Sequence, residues 1–218
     1  MAHDLKLFHA YTACTRVILT ALETVGMPYE DKILDFRAGD NRKPDYLAIS
    51  PRGKVPCLLV DGKPLTENAA VLHWLHKAWP EAALFPLAET AWEEAQQLSA
   101  LLWVASGWHP SVRAVKVPFV LTKGDPAPVR ERGGQIFSAL LDQLDAELAE
   151  RQWWFGDHWS IVDTYLWWAY ITSEFGGFDL TPWSNVARHR ADNEAMPQLQ
   201  QALAREQAAQ DALEASKP

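Results

Sequence analysis

Val55-Pro56-Cys57-Leu58-Leu59-Val60-Asp61-Gly62-Lys63-Pro64-Leu65-Thr66-Glu67-Asn68 is the stretch from which the fold is read. Val55 to Val60 is an apolar strand. Asp61-Gly62 is a two-residue hairpin signal, and Lys63 to Leu65 returns as a second strand. Pro56 lacks an amide donor, so inside a strand it lies on an edge or follows a cis bond. A cis bond would turn the Val55 backbone outward, where its N–H and C=O can pair with an extended peptide. The plainer reading is an ordinary edge proline. Glu67 to Ala78 then reads as a helix with Val71, Trp74, Leu75 and Ala78 on one face. The free amides and positive dipole end of its first turn attract a carboxylate. Glu67 beside them suits an ammonium group, so one spot would hold both charges of an amino-acid terminus. A simple helix cap is the alternative.

Toward the N-terminus, Leu5, Leu7 and Phe8 form a short strand. Thr15 to Val25 follows as a helix closed by Gly26. Pro28 enforces an extended restart, Tyr29 to Leu34 is a strand, and Lys43 to Ile49 is a short irregular helix. The order strand, helix, strand, helix, strand, strand, helix implies a small α/β domain. Trp79 to Pro86 is rich in breakers and reads as a linker. Beyond it only helices are expected: Ala88 to Gly107, Val129 to Glu150, a helix through Ile171 opened by the capping box Ser160-Ile161-Val162-Asp163, Trp183 to Ala191, and Met196 to Leu213.

The 218 residues suit one large domain or two small ones, at 48% hydrophobic and 22% charged. A net charge of −8 argues against a nucleic-acid partner, because a phosphate-tracking surface needs clustered Lys and Arg. The basic runs Arg37–Lys43 and Arg130–Arg132 are short and interrupted. Cys14 and Cys57 form no CxxC pair, so neither a structural metal site nor a disulfide framework is expected. No signal peptide and no membrane-length apolar run is read, which predicts a cytoplasmic location. Eleven tryptophans are ascribed mainly to core and interface positions.

The loop Tyr11-Thr12-Ala13-Cys14-Thr15 joins the first strand to the first helix. A hydroxyl or thiol at a helix N-terminus can hold, or become, a thiolate favoured by the dipole. Otherwise Cys14 is a small buried hydrophobe, and Thr12 and Thr15 are N-caps. His109, followed by Pro110, is placed late in the first long helix of the second half.

Together these motifs resemble the cytosolic glutathione S-transferase superfamily, nearest to its bacterial Beta- and Theta-like classes. Asp45 to Pro56 resembles the family's run from second helix to cis-proline. Leu65-Thr66-Glu67-Asn68-Ala69-Ala70-Val71 resembles its γ-glutamyl site, with Asn68 where serine is usual. Gly156 to Asp163 resembles its capping-box motif. The resemblance implies a thioredoxin-like glutathione-binding domain over 1–80 (βαβαββα), a linker over 81–87, and an all-α helical bundle over 88–218. It implies that Val55 pairs with the cysteinyl part of glutathione beside a cis Pro56. Glu67 and Asn68 would take the γ-glutamyl ammonium and carboxylate. Asn41, Arg42 and Lys54 would meet the glycyl end, and His109 would join the glutathione site.

Two registers of the loop, one counted back from Gly26 and one anchored on Arg16, leave three class patterns competing for the activating group. Cys14 falls on the Beta-class cysteine, Thr12 on the Theta- and Delta-like serine, and Tyr11 on the Phi-like serine; Thr15 is the further hydroxyl. Phe8, Tyr11, Trp108, Val112 and Trp168 are expected to line a hydrophobic pocket between the domains for an aromatic electrophile. The implied activity is glutathione conjugation, with glutathione as co-substrate and no metal. The alternatives are glutathione-dependent disulfide or peroxide reduction through Cys14, and a non-enzymatic ligand-binding or regulatory subunit. A homodimer is implied, with pairing to a related chain as the variant.

Overall fold

The computed structural model describes residues 3–217. They form two compact units, one of residues 3–82 with 197–217 and one of residues 83–196.

The first unit is built on a four-stranded sheet. Its strands are β1 (Leu5–His9), β2 (Glu30–Ile33), β3 (Cys57–Val60) and β4 (Lys63–Thr66), in the order β2-β1-β3-β4. β1 and β2 are parallel, and the crossover between them is helix α1 (Thr15–Val25). The β3–β4 hairpin is antiparallel, with Leu58 opposite Leu65. Gly26 ends α1 in the left-handed conformation at φ 71°, its N–H donating to the Leu22 carbonyl at 2.9 Å. Val17, Ile18, Leu19, Ala21 and Leu22 of α1 are fully buried. Helix α3 (Asn68–Ala78) packs on α1 and buries Val71, Leu72 and Leu75. Each such aliphatic side chain contributes about 1.5–3 kcal/mol. A short helix, α2 (Pro44–Ile49), follows a 3₁₀ turn at Asp40–Arg42. Its Tyr46 packs with Phe8, Leu34 and Cys57.

Sequence periodicity groups the final helix with the preceding helices, but α9 (Pro197–Ala215) packs along α1 and beside β2. Its buried positions are only Leu199, Ala202 and Glu206. Charge supplies the rest. Arg205 donates to Asp31 at 2.6 Å and to the Tyr29 carbonyl at 2.9 Å, and Lys217 beyond the helix reaches Asp35 at 2.7 Å.

The second unit is helical: α4 (Ala91–Trp103), α5 (His109–Lys116), α6 (Ala127–Glu150), α7 (Ile161–Glu174) and α8 (Ser184–Glu194). α4 opens three residues later than its periodicity suggests, because Thr90 caps it. The Thr90 hydroxyl accepts from the Glu93 amide at 3.2 Å, and the Glu93 carboxylate accepts from the Thr90 amide at 3.0 Å. α7 is buried from Ile161 to Ser173. At its start Asp163, fully buried, accepts from the Ser160 amide at 2.8 Å, the Trp154 amide at 2.6 Å and His189 Nε2 at 2.9 Å.

Candidate functional site

In the first unit a small cleft is lined by Ser50, Arg52, Lys54, Val55, Pro56, Thr66 and Glu67. The Val55–Pro56 bond is cis. Strand pairing begins one residue later, at Cys57 opposite Thr66, so Val55 stands ahead of the paired ladder.

The wall of the cleft is held by backbone-directed bonds. Asn41 donates its amide to the Gly53 carbonyl at 2.8 Å, and Tyr46 donates its hydroxyl to the Lys54 carbonyl at 2.6 Å. Gly53 has φ +59°, and a Cβ there would lie 2.7 Å from the Asn41 carbonyl oxygen. Burial pushes Tyr46 up to about 12, so the hydroxyl stays a donor. Arg42 and Lys54 are exposed. Asn41 therefore shapes the 50–54 loop with its side-chain amide, and Lys54 places a positive charge on the cleft while Arg42 lies outside its lining.

Glu67 precedes α3 with φ +73°, a region that non-glycine residues seldom occupy. Its carboxylate lies 2.7 Å from Arg52 Nη1, with 67% and 68% of the arginine and glutamate side chains exposed. Such a pair is worth about 0–1 kcal/mol and exchanges readily for other partners. Asn68 is buried. Its side-chain amide donates to the Cys14 carbonyl at 3.0 Å, while Oδ1 has no hydrogen-bond partner among the described residues. Sequence reasoning missed Ser50, Thr66 and, as the one charged residue among the three, Arg52. Its charge within Ser50–Lys54 was visible, but its pairing with Glu67 was not.

The Tyr11–Thr15 loop is tightly fastened. Tyr11, 41% exposed, donates its hydroxyl to Gln207 at 2.6 Å. Thr12 adopts φ +58° and donates its amide to Glu206 at 3.2 Å. Cys14 is buried at the position before α1, and no side-chain cap forms there. Thr15 is fully buried as the first residue of the helix, with its hydroxyl donating to the Ala10 carbonyl at 3.3 Å. Thr15 is thus the first residue of the helix and not its N-cap, and its hydroxyl binds the backbone inward. Cys57 is also buried, and desolvation pushes its thiol up to about 11.

In the second unit the chain departs from expectation at His109, which opens α5 rather than lying late in a long helix. Pro110 has no N–H, and its ring would strike the carbonyl four residues back in a regular helix. The backbone widens into a π turn over Val104–Trp108, and the His109 amide donates to Val104. The His109 ring lies 4.6 Å from that of Trp168, and its Nδ1 shares a 3.0 Å hydrogen bond with the Tyr165 hydroxyl. Trp108, Val112 and Trp168 are buried, as is Phe8 in the first unit. Trp108 meets Phe137 and Tyr170 edge-on. Of the five residues expected to meet a hydrophobic substrate, only Tyr11 is exposed. A separate apolar groove of about 450 Å³ runs between α5 and α6, lined by Pro110, Ala114, Val129, Gly133 and Ile136 among others.

Among the described residues no cluster of three or more His, Cys, Asp or Glu could hold a metal ion, and no helix is long and apolar enough to cross a membrane.

Residues 12–78 match the family model "Glutathione S-transferase, N-terminal domain", and residues 127–192 match "Glutathione S-transferase, C-terminal domain". Maleylacetoacetate isomerase of Pseudomonas aeruginosa is 28% identical over 204 residues, covering 91% of this chain and 95% of its own. The crystal structure of a glutathione transferase from Methylococcus capsulatus superimposes with a TM-score of 0.83 at 27% identity, over 94% of this chain and 99% of that one. A sphingomonad glutathione S-transferase, solved in complex with glutathione, gives 0.81 at 28% identity, over 92% and 98%. The thioredoxin-like sheet, the helical second unit and both family models agree: the chain belongs to the cytosolic glutathione S-transferase superfamily.

Proposed function

We propose that the protein is a glutathione transferase that holds the glutathione thiolate for attack on a hydrophobic, aromatic electrophile. The observation that carries this reading is the cleft that joins Glu67, Arg52 and Lys54 to a cis Val55–Pro56 bond. Glutathione carries one ammonium, two carboxylates and an extended peptide backbone. The cleft matches that pattern with one carboxylate, two cations and a strand entrance. Glu67 accepts from the ammonium, displacing Arg52, which then faces the adjacent carboxylate together with the first-turn amides of α3. Val55 pairs its backbone with the cysteinyl unit. The relative solved with glutathione supports the same ligand.

The thiol of glutathione has an ordinary pKa of about 8.5, and lowering it by about two units needs roughly 3 kcal/mol. A donor at the entrance of α1 together with the helix dipole supplies energy of this size. Thr12 and Cys14, at the entrance of α1, are the donors of this proposal. Calorimetry with millimolar glutathione and initial rates with an activated aryl halide test the reading. Absence of binding overturns it.

A second reading rests on the position of Cys14 directly before α1, where the dipole favours a thiolate. The Cys14 thiolate would attack the sulfur of a glutathione mixed disulfide and release the other thiol. A second glutathione thiolate would then free Cys14 and leave as glutathione disulfide. A homodimer fits the exposed face of α4, where Leu98 and Leu102 stand four residues apart and 38% and 49% exposed. Light scattering measures it.

A further inference from the structure

We infer that Glu206, on the last helix, is a positioning residue for the sulfur-activating loop. This rests on the glutathione reading above and adds an element to it that lies about 190 residues along the chain. The Glu206 side chain is 1% exposed, and both its oxygens are used. Oε2 accepts from Arg16 Nε and Nη2, each at 2.7 Å, and Oε1 accepts from the Thr12 amide at 3.2 Å. One carboxylate thus ties the first turn of α1 to the residue that turns the chain into it. Thr12 is the loop residue at φ +58°, a conformation a threonine does not hold unaided. The next residue along α9, Gln207, accepts from Tyr11 at 2.6 Å, and Arg16 lies over the Tyr11 ring. From the opposite side Asn68 donates to the Cys14 carbonyl.

The loop is therefore held on both flanks. The Asn68 contact comes from the helix that carries the cleft, and the Glu206 contact from α9. Losing Glu206 frees Thr12 to leave its left-handed conformation, so both Thr12 and Cys14 shift relative to α1. Glu206 is not among the residues that line the cleft. The inference is specific: Glu206 controls the state of the sulfur and not the hold on the tripeptide.

Two paired variants of the full chain separate the clamp from the buried charge. R16L/E206L removes both charges and the acceptor for Thr12, and R16Q/E206Q removes the charges but keeps an acceptor. Bound glutathione is titrated by its ultraviolet thiolate absorbance, its Kd is taken by calorimetry, and folding is followed by circular dichroism. R16L/E206L is expected to keep the Kd, raise the thiolate pKa by about one unit and lower kcat about tenfold. R16Q/E206Q is expected to keep both. A folded R16L/E206L protein with unchanged thiolate pKa and kcat overturns the inference, as does an equal shift in R16Q/E206Q. Hydrogen exchange at the Thr12 amide of the wild-type chain stands whether or not the variants fold: protection is expected, and exchange at the rate of an open loop overturns the clamp. If wild-type protein fails to bind glutathione while Thr12 is protected, the proposed function fails and the clamp does not.

Discussion

The side-chain amide of Asn68 donates to the main-chain carbonyl of Cys14 over 3.0 Å, so the first turn of α3 and the entrance of α1 are one hydrogen-bonded unit. The cleft proposed for the γ-glutamyl group and the loop proposed to activate the sulfur are built on those two helix starts. Any ligand that orders one bears on the other.

Removing this bond should be felt in stability. Asn68→Ala removes one of the donors to the Cys14 carbonyl while the Val17 amide stays bound at 3.2 Å, and a loss of about 0.5–1.5 kcal/mol is expected. Urea denaturation measures it. Asn68→Ser, the residue usual in the family, is too short to reach Cys14 and should lose nearly as much. A Ser variant as stable as wild type would show that the contact contributes nothing.

Glu67→Gln should act on binding and not on folding. Its partner Arg52 is largely exposed, so the melting temperature should hardly change. The glutathione Kd should rise about tenfold or more, since a charged hydrogen bond to the ammonium contributes about 1.5–3 kcal/mol. Calorimetry on both proteins decides it.

The two cysteines should differ in reactivity. The Cys57 thiol is fully buried and its pKa stands at about 11, so it should resist alkylation in the folded protein near neutral pH. Peptide mass spectrometry after brief iodoacetamide treatment should find the label on Cys14 first. Cys14→Ser should keep conjugation if a hydroxyl serves the sulfur, and should lose disulfide reduction if that chemistry is present.

Asp163→Ala should be the most damaging of these changes. It strands the Ser160 and Trp154 amides and His189 in the interior, and about 3–5 kcal/mol of stability should go. Asp163→Asn keeps an acceptor and should cost less. Thermal melts of both variants check the order.

Acid should loosen the attachment of α9. Burial alone would raise the Asp31 carboxyl, but hydrogen bonds from His9 and Arg205, with the arginine charge, hold it below the ordinary carboxylate value. A depressed folded pKa gives stability that is complete above the unfolded pKa of about 3.9 and is lost as pH falls through the folded value. Asp31→Asn should lower stability at neutral pH and flatten its dependence below about pH 4. An unchanged acid limb would remove Asp31 as the cause.

Much of the fold could be read along the chain because it rests on local rules. Gly26 ends α1 since only glycine enters the left-handed region freely, and Ser160 with Asp163 opens α7 since the two are three residues apart. The Thr90–Glu93 box obeys the same rule and was equally legible, though the helix was started earlier at Ala88. The π turn before His109 was foreshadowed by Pro110, yet a proline announces a break without saying whether the ladder stops or widens.

Local periodicity and residue chemistry by themselves determined the order of strands and helices in the first unit and most of the helices after it, and the quoted motifs carried the resemblance to glutathione transferases. Tertiary structure alone decided that α9 lies on α1, that Glu206 rather than a neighbour holds Thr12, that Arg52 meets Glu67, and that Asn68 turns inward to Cys14. The reason is range. Periodicity reports the face a residue occupies on its own helix, whereas the partner of a buried carboxylate is set by whichever distant helix fills that face.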